Sequence, residues 1–199
     1  MNLLYSELQW LPRLTSEFRE KVKTLGNSDD NLGRELQSLA LHALDVNQLT
    51  TLARTINKFR ADGRSLDPLV PFRLAVLSNS TIDLIVPALV ASAARHGIVL
   101  EVIEPLYDQV AQEVLTPDSK VNSSKPDAVL LALDYRALPL KLSLADSETS
   151  SSAIQGVIGY LQMLRDGIRT NSNAVCIFQT FAPPAETLFG SLDRVLQGR

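Results

Sequence analysis

The sequence predicts an α/β protein: a three-layer parallel sheet covered by helices, with a helical subdomain in front of it. Three observations predict this. From Phe72 onward, short apolar runs alternate with amphipathic segments, the pattern of βαβ units. The runs are continuously apolar rather than alternating, as strands buried on both faces are. Before them, residues 1–65 carry apolar side chains at three- and four-residue steps and few strand signals. The expected domains are therefore a helical lead-in over 1–65 and an α/β domain over 66–199.

Each element follows from its local chemistry. Leu11, Leu14, Phe18, Val22 and Leu25 share one helical face, with Pro12 near that helix's start. Gly26–Asp30 breaks it. A second helix spans Asn31–Leu44, with Leu32, Leu36, Leu39, Ala40 and Ala43 inward. A third turns Leu49, Leu52, Ala53, Ile56 and Phe59 inward, with Asn47 as N-cap and Asp62-Gly63 at its end. Arg64–Pro71, with two prolines, reads as a linker.

Arg73–Leu77 is the first strand, and a helix from Ile82 to His96 follows at once, with Pro87 near its first turn. Ile98–Ile103 is the second strand. A loop and helix occupy 104–114, and Leu115–Lys125 reads as a polar loop. Ala128–Leu133 is the third strand. A polar stretch, 144–152, leads into a helix over Ala153–Ile168, and Ala174–Phe178 is the fourth strand. Pro183-Pro184 forces a loop, and Ser191–Gln197 has the pattern of a helix's first turns.

Composition narrows the function. The chain has 199 residues, 45% hydrophobic and 21% charged, with a net charge of -3. No basic field argues for nucleic acid. No apolar run approaches the ~20 residues of a membrane helix. The N-terminus, MNLLYSELQW, lacks a secretory pattern. The single cysteine, Cys176, excludes a disulfide framework and suits a reducing compartment. The expectation is a cytoplasmic protein.

The chemistry-bearing stretch is Ser78-Asn79-Ser80-Thr81, where the first strand meets its helix. Ligands of open α/β sheets bind at such carboxyl ends. Four hydroxyl or amide side chains there suit an anion, a carbonyl, a serine nucleophile, or a plain turn with a helix cap. Glu104, Asp134–Arg136 and Gln179–Thr180 end the other three strands. A serine nucleophile needs a base, most often histidine. Of the two histidines, His96 ends the helix that begins beside Ser80 and so lies at the far edge of the sheet, while His42 lies in the helical lead-in. No metal-ligand spacing and no glycine-rich phosphate loop occurs.

Four segments resemble a known family: RLAVLSNSTIDLIVPAL, EVIEPLYDQVAQEVLTPDS, KPDAVLLALDYRAL and CIFQTFAPPAETLFGS, in order over about 72–191. They look like the N-terminal domain of FkbH-like proteins. The Tyr107…Gln109…Glu113-Val114-Leu115 run is the most specific piece. Leu77–Thr81 is also similar to the first block of SGNH (GDSL) hydrolases.

The resemblance implies an SGNH- or flavodoxin-like fold joined to a C-terminal HAD-type, phosphatase-like domain. It implies a place in polyketide or other secondary-metabolite biosynthesis, with acyl or glyceryl transfer to or from an acyl carrier protein. By position, Ser80 matches the SGNH nucleophile, Ser78 the glycine of that block and Asn79 its aspartate. Thr81, Asp134 and Gln179 would line the substrate crevice. No cofactor or metal is expected in this chain. The SGNH oxyanion asparagine is expected after the third strand, where this chain has Leu133-Asp134-Tyr135-Arg136, and no histidine follows His96. The parent protein is then the enzyme, an acyl or glyceryl transferase or an SGNH-type esterase, and the isolated chain inactive. The alternatives are a carrier-protein or acyl-binding module, or a structural lead-in to the HAD-type domain.

Overall fold

The computed structural model describes residues 10–14, 17–25, 31–140 and 147–181, with no side-chain placement for 147–150. The expected break at Gly26–Asp30, the Pro183-Pro184 loop and the Ser191–Gln197 turns lie outside the described residues. Seven helices and four strands are formed among those described. The strands β1 (Val70–Ser78), β2 (Ile98–Ile103), β3 (Ala128–Ala132) and β4 (Val175–Phe178) form one sheet in the order β2-β1-β3-β4. β1 pairs with β3 and β3 with β4, both parallel. The α/β class and the four strand positions agree with the sequence.

Two compact units divide the packing, one of residues 1–73 and 82–102, the other of 74–81 and 103–199. In the first, α1 (Phe18–Thr24), α2 (Leu32–Ala40) and α3 (Val46–Ala61) accompany α4 (Ile85–Arg95). Leu32, Leu36, Leu52, Ile56, Ala91 and Ala94 are almost wholly buried there. Arg95 fastens α4 to α2: its Nε donates to the Ala40 carbonyl at 2.8 Å, and Gln37 Nε2 donates back to the Arg95 carbonyl at 3.4 Å.

Three expectations for this unit are corrected. The first helix begins at Phe18 rather than near Pro12, because Arg13 makes an isolated parallel bridge to Ala43. Asp45, not Asn47, caps α3: its carboxylate accepts from the Gln48 N–H at 2.8 Å, and the Gln48 side chain accepts from the Asp45 N–H at 2.8 Å. That reciprocal box satisfies two donors the helix start leaves open, which a lone asparagine two residues later does not. The helix after Ser80 begins at Ile85, since a turn precedes it, closed by the Ile85 N–H donating to the Ile82 carbonyl at 2.8 Å.

The second unit is built on one apolar cluster. Ala75 and Leu77 of β1 and Val129 and Leu131 of β3 alternate onto the same sheet face. They meet Val110 and Val114 of α5 (Val110–Leu115), Val121 of α6 (Lys120–Ser124), and Leu164 and Ile168 of α7 (Ser147–Asn171). Leu164 and Ile168 are fully buried, each contributing about 1.5–3 kcal/mol over an exposed position. The stretch expected as loop at 115–125 holds α6 because Asn122 folds it inward. Its amide donates to the carbonyls of Glu113, Val114 and Thr116 at 3.0, 3.2 and 2.8 Å. Those are carbonyls the end of α5 leaves unpaired.

Two glycines separate close packing from open surface. A Cβ on Gly33 would overlap the carbonyl oxygens of Leu66 and Asp67, whereas one on Gly156 meets nothing. Gly33→Ala is therefore expected to destabilise the fold by about 1–3 kcal/mol. Gly156→Ala should stabilise it by about 0.5–1 kcal/mol through helix propensity. Urea unfolding of the two variants checks both signs.

Candidate functional site

The carboxyl ends of β1 and β3 are adjacent because those strands pair in register up to Ser78 against Ala132. One residue past that rung is Asn79, two past it is Asp134. Their side chains interlock. Asn79 Nδ2 donates to Asp134 Oδ1 at 2.6 Å, and the Asp134 N–H donates to Asn79 Oδ1 at 3.0 Å. Each residue thus gives one hydrogen bond and takes one, which fixes both rotamers and both backbones.

Further groups close round the pair. The Asp134 carboxylate caps a 3-10 turn at Tyr135–Ala137, accepting from the Arg136 N–H at 2.8 Å. The Arg136 guanidinium stands 3.5 Å from Asp134 Oδ2. From the loop after β2, the Tyr107 hydroxyl donates to the Asn79 carbonyl at 2.9 Å. That loop is held at its start by Lys120, whose ammonium donates to the Glu104 carbonyl at 2.6 Å. Gln179, just past β4, donates its amide to the Leu133 carbonyl at 2.9 Å.

Ser80 lies on this platform and is exposed. Its N–H donates to Ser78 Oγ at 3.0 Å. Ser78 is thereby a turn-former, and the Ser80 N–H is committed to it. The first N–H groups of α4 are committed as well, Ile85 and Val86 both donating to the Ile82 carbonyl at 2.8 and 3.0 Å. Thr81 is exposed beside it.

The electrostatics follow from the contacts. The Asn79 amide holds the Asp134 carboxyl below its ordinary value of 3.8; the Arg136 and Ala137 N–H groups and the Arg136 charge act in the same direction, and partial desolvation opposes them. With Oδ1 accepting twice and Oδ2 facing a guanidinium, this carboxylate is a structural anion and a poor proton acceptor. Burial pushes the Cys176 thiol up, so it stays protonated at neutral pH. His42 Nδ1 lies 3.0 Å from the Ser38 carbonyl, within hydrogen-bond reach, and His96 is the C-cap residue of α4. Among the described residues no side chain that could act as base is hydrogen-bonded to the Ser80 hydroxyl, and no group of ligands could hold a metal ion.

Of the expected site residues, the structure joins Asn79 to Asp134 and Ser78 to Ser80, and brings Gln179 to the end of β3. Sequence reasoning missed Tyr107 as a partner of Asn79. The signal was present in the Tyr107–Leu115 run, but nothing in the residues said which strand end the tyrosine reaches.

The chain is thus a parallel α/β domain with a polar, interlocked platform at the carboxyl ends of its strands, the place where open sheets bind ligands. Residues 73–194 match the family described as FkbH, N-terminal domain. That match takes in more than half the chain, and the chain belongs to this family. No curated protein matches it. A similar solved structure is the N-terminal part of a Bacteroides fragilis protein, which contains a phosphatase domain and was determined in complex with magnesium. It is 18% identical with a TM-score of 0.58, and the likeness covers 78% of this chain and 38% of that one. At that identity the likeness shows the fold. No described helix is long and apolar enough to cross a membrane.

Asn79→Leu should raise the Asp134 carboxyl back toward 3.8, read by NMR titration of the carboxyl carbon. Because folding depresses this group, its contribution to stability is present above its unfolded value and lost as pH falls through its folded one. The variant should therefore lose less stability than the wild type as pH falls below about 4. Tyr107→Phe should cost about 0.5–1.5 kcal/mol, the loss of one hydrogen bond, in urea unfolding.

Proposed function

We propose that this domain serves an FkbH-like protein of secondary-metabolite biosynthesis by holding the acyl- or glyceryl-bearing arm of an acyl carrier protein. The bond-making chemistry then falls to a HAD-type domain. The observation that carries this reading is the interlocked Asn79–Asp134 platform. Its polar groups are paired and rigid, its carboxylate is unfit as a base, and Leu106, Tyr107 and Tyr135 are exposed in the loops around it. Fixed amides and hydroxyls with an apolar rim suit an arm that is part amide and part alkyl. The carrier itself comes from the family resemblance, and the cytoplasmic setting from the single cysteine and the lack of a secretory pattern.

A second reading is favoured by one observation, the exposure of Ser80 directly after β1. There Ser80 is the SGNH-type nucleophile: its oxygen attacks the thioester carbonyl, its proton passes to a base from another domain, and the carrier thiol leaves. The esterase and acyltransferase activities implied by the SGNH likeness belong to this reading.

Titration with acyl-pantetheine and with loaded carrier protein, followed by amide chemical shifts, tests the first reading. Saturable shifts should appear at Ser78–Thr81, Tyr107 and Asp134, and should weaken in Asn79→Leu. No saturable shift at those residues would sink the idea. Ser80→Ala should leave binding within about twofold on the first reading, since an exposed hydroxyl contributes little. Loss of thioester turnover by the two-domain protein on the same substitution would select the second.

A further inference from the structure

Most polar groups of the platform are paired, but Arg136 keeps donors open. Its backbone is pinned. The Arg136 N–H donates to Asp134 Oδ1 at 2.8 Å, and the Ala137 and Leu138 N–H groups close the 3-10 turn onto the Asp134 and Tyr135 carbonyls at 3.2 and 3.3 Å. The guanidinium is held more loosely. Its carbon lies 5.2 Å from the centre of the Tyr135 ring, and Nη1 stands 3.5 Å from Asp134 Oδ2. A charge-assisted hydrogen bond is about 2.7–2.9 Å long. The pair therefore orients the head without satisfying its N–H fork, and the side chain is 72% exposed.

The fold does not require that guanidinium. Asp134 Oδ1 already accepts from Asn79 and from the Arg136 N–H, and an exposed ion pair adds little to stability. Among the described residues no second acid lies within ion-pair distance of Arg136. Lys120, which holds the loop after β2, gives its ammonium to the Glu104 carbonyl at 2.6 Å. Past β4, Gln179–Phe181 carry no charge, and the Gln179 amide is committed to the Leu133 carbonyl. A planar cation steadied on a ring, held at one corner and open at the others, is the form in which arginine receives the two oxygens of a phosphate or carboxylate.

We propose that Arg136 is the anion receptor of the platform and binds an oxyanion of the ligand held there. The source of that anion rests on the carrier-arm reading above: it is the phosphate through which such an arm is tethered, or a carboxylate on the cargo. Asp134 is then the positioning residue. Its carboxylate fixes the Asn79 loop on one side and aims the guanidinium on the other. The exposed hydroxyls of Ser80 and Thr81 belong to the same platform and meet the uncharged part of the ligand.

The test is titration of this chain, followed by amide chemical shifts, with two matched pairs of probes and with inorganic phosphate alone. Pantetheine against 4′-phosphopantetheine reads the phosphate; butyryl-pantetheine against succinyl-pantetheine reads a cargo carboxylate. One anionic probe should bind about tenfold more tightly than its uncharged partner, with added shifts at Tyr135–Ala137. The pair that shows the preference identifies the source. The preference should shrink as salt rises from about 20 to 200 mM, fall within about twofold in Arg136→Gln, and survive in part in Arg136→Lys, which keeps the charge and loses the fork. Equal binding within both pairs, or an Arg136→Gln variant that weakens charged and uncharged probes alike, would overturn the proposal and leave the carrier-arm reading intact. Shifts at Tyr135–Ala137 from inorganic phosphate, lost in Arg136→Gln and with none from pantetheine, would uphold the receptor and overturn that reading.

Discussion

Two oppositely directed hydrogen bonds between Asn79 and Asp134 hold the carboxyl ends of β1 and β3 together, and the site depends on them. Parallel strands at their ends splay into separate loops unless something ties those loops. Here an amide and a carboxylate do so, each answering the other's backbone or side chain. Once the tie is made, the Tyr107 hydroxyl has a fixed carbonyl to meet, the 3-10 turn has its cap, and Ser80 has a fixed position. The cost is chemical: a carboxylate used as an anchor is withdrawn from proton transfer.

That cost bears on how the domain works. A serine hydroxyl needs a base to become a nucleophile at neutral pH. The acid nearest in the network is spent on structure, and the hydrogen bonds of Ser78 and Ser80 serve the turn they sit in. An arrangement of paired, preorganised groups is better suited to positioning a bound arm than to breaking a bond in it. The platform lies in the compact unit that contains β4 and the carboxyl ends of β1 and β3.

Much of the fold was legible because burial imposes periodicity. Continuous apolar runs marked all four strands, and the three- and four-residue steps marked α2 and α3. What the steps could not mark was where a helix gives way to other pairing. Leu11 and Leu14 keep the helical spacing, yet Arg13 bridges to Ala43, a contact remote in sequence. The polar stretch at 115–125 has no amphipathic face, yet α6 forms there because Asn122 satisfies the carbonyls at the end of α5. In both cases the deciding partner lies outside the local window.

By itself the sequence determined the α/β class, the strand positions, the family and the polar character of the strand ends. These depend on local composition, on spacing and on motifs read in order. Only the tertiary structure decided that β1 lies beside β3, and hence that Asn79 meets Asp134 rather than Glu104 or Gln179. It also decided that Asp134 is an anchor, that Tyr107 reaches the Asn79 carbonyl, and that β4 is the last strand of the sheet among the described residues. Strand order is set by which apolar faces pack most completely over the whole domain. That sum is over contacts distant in the chain, and no local pattern carries it.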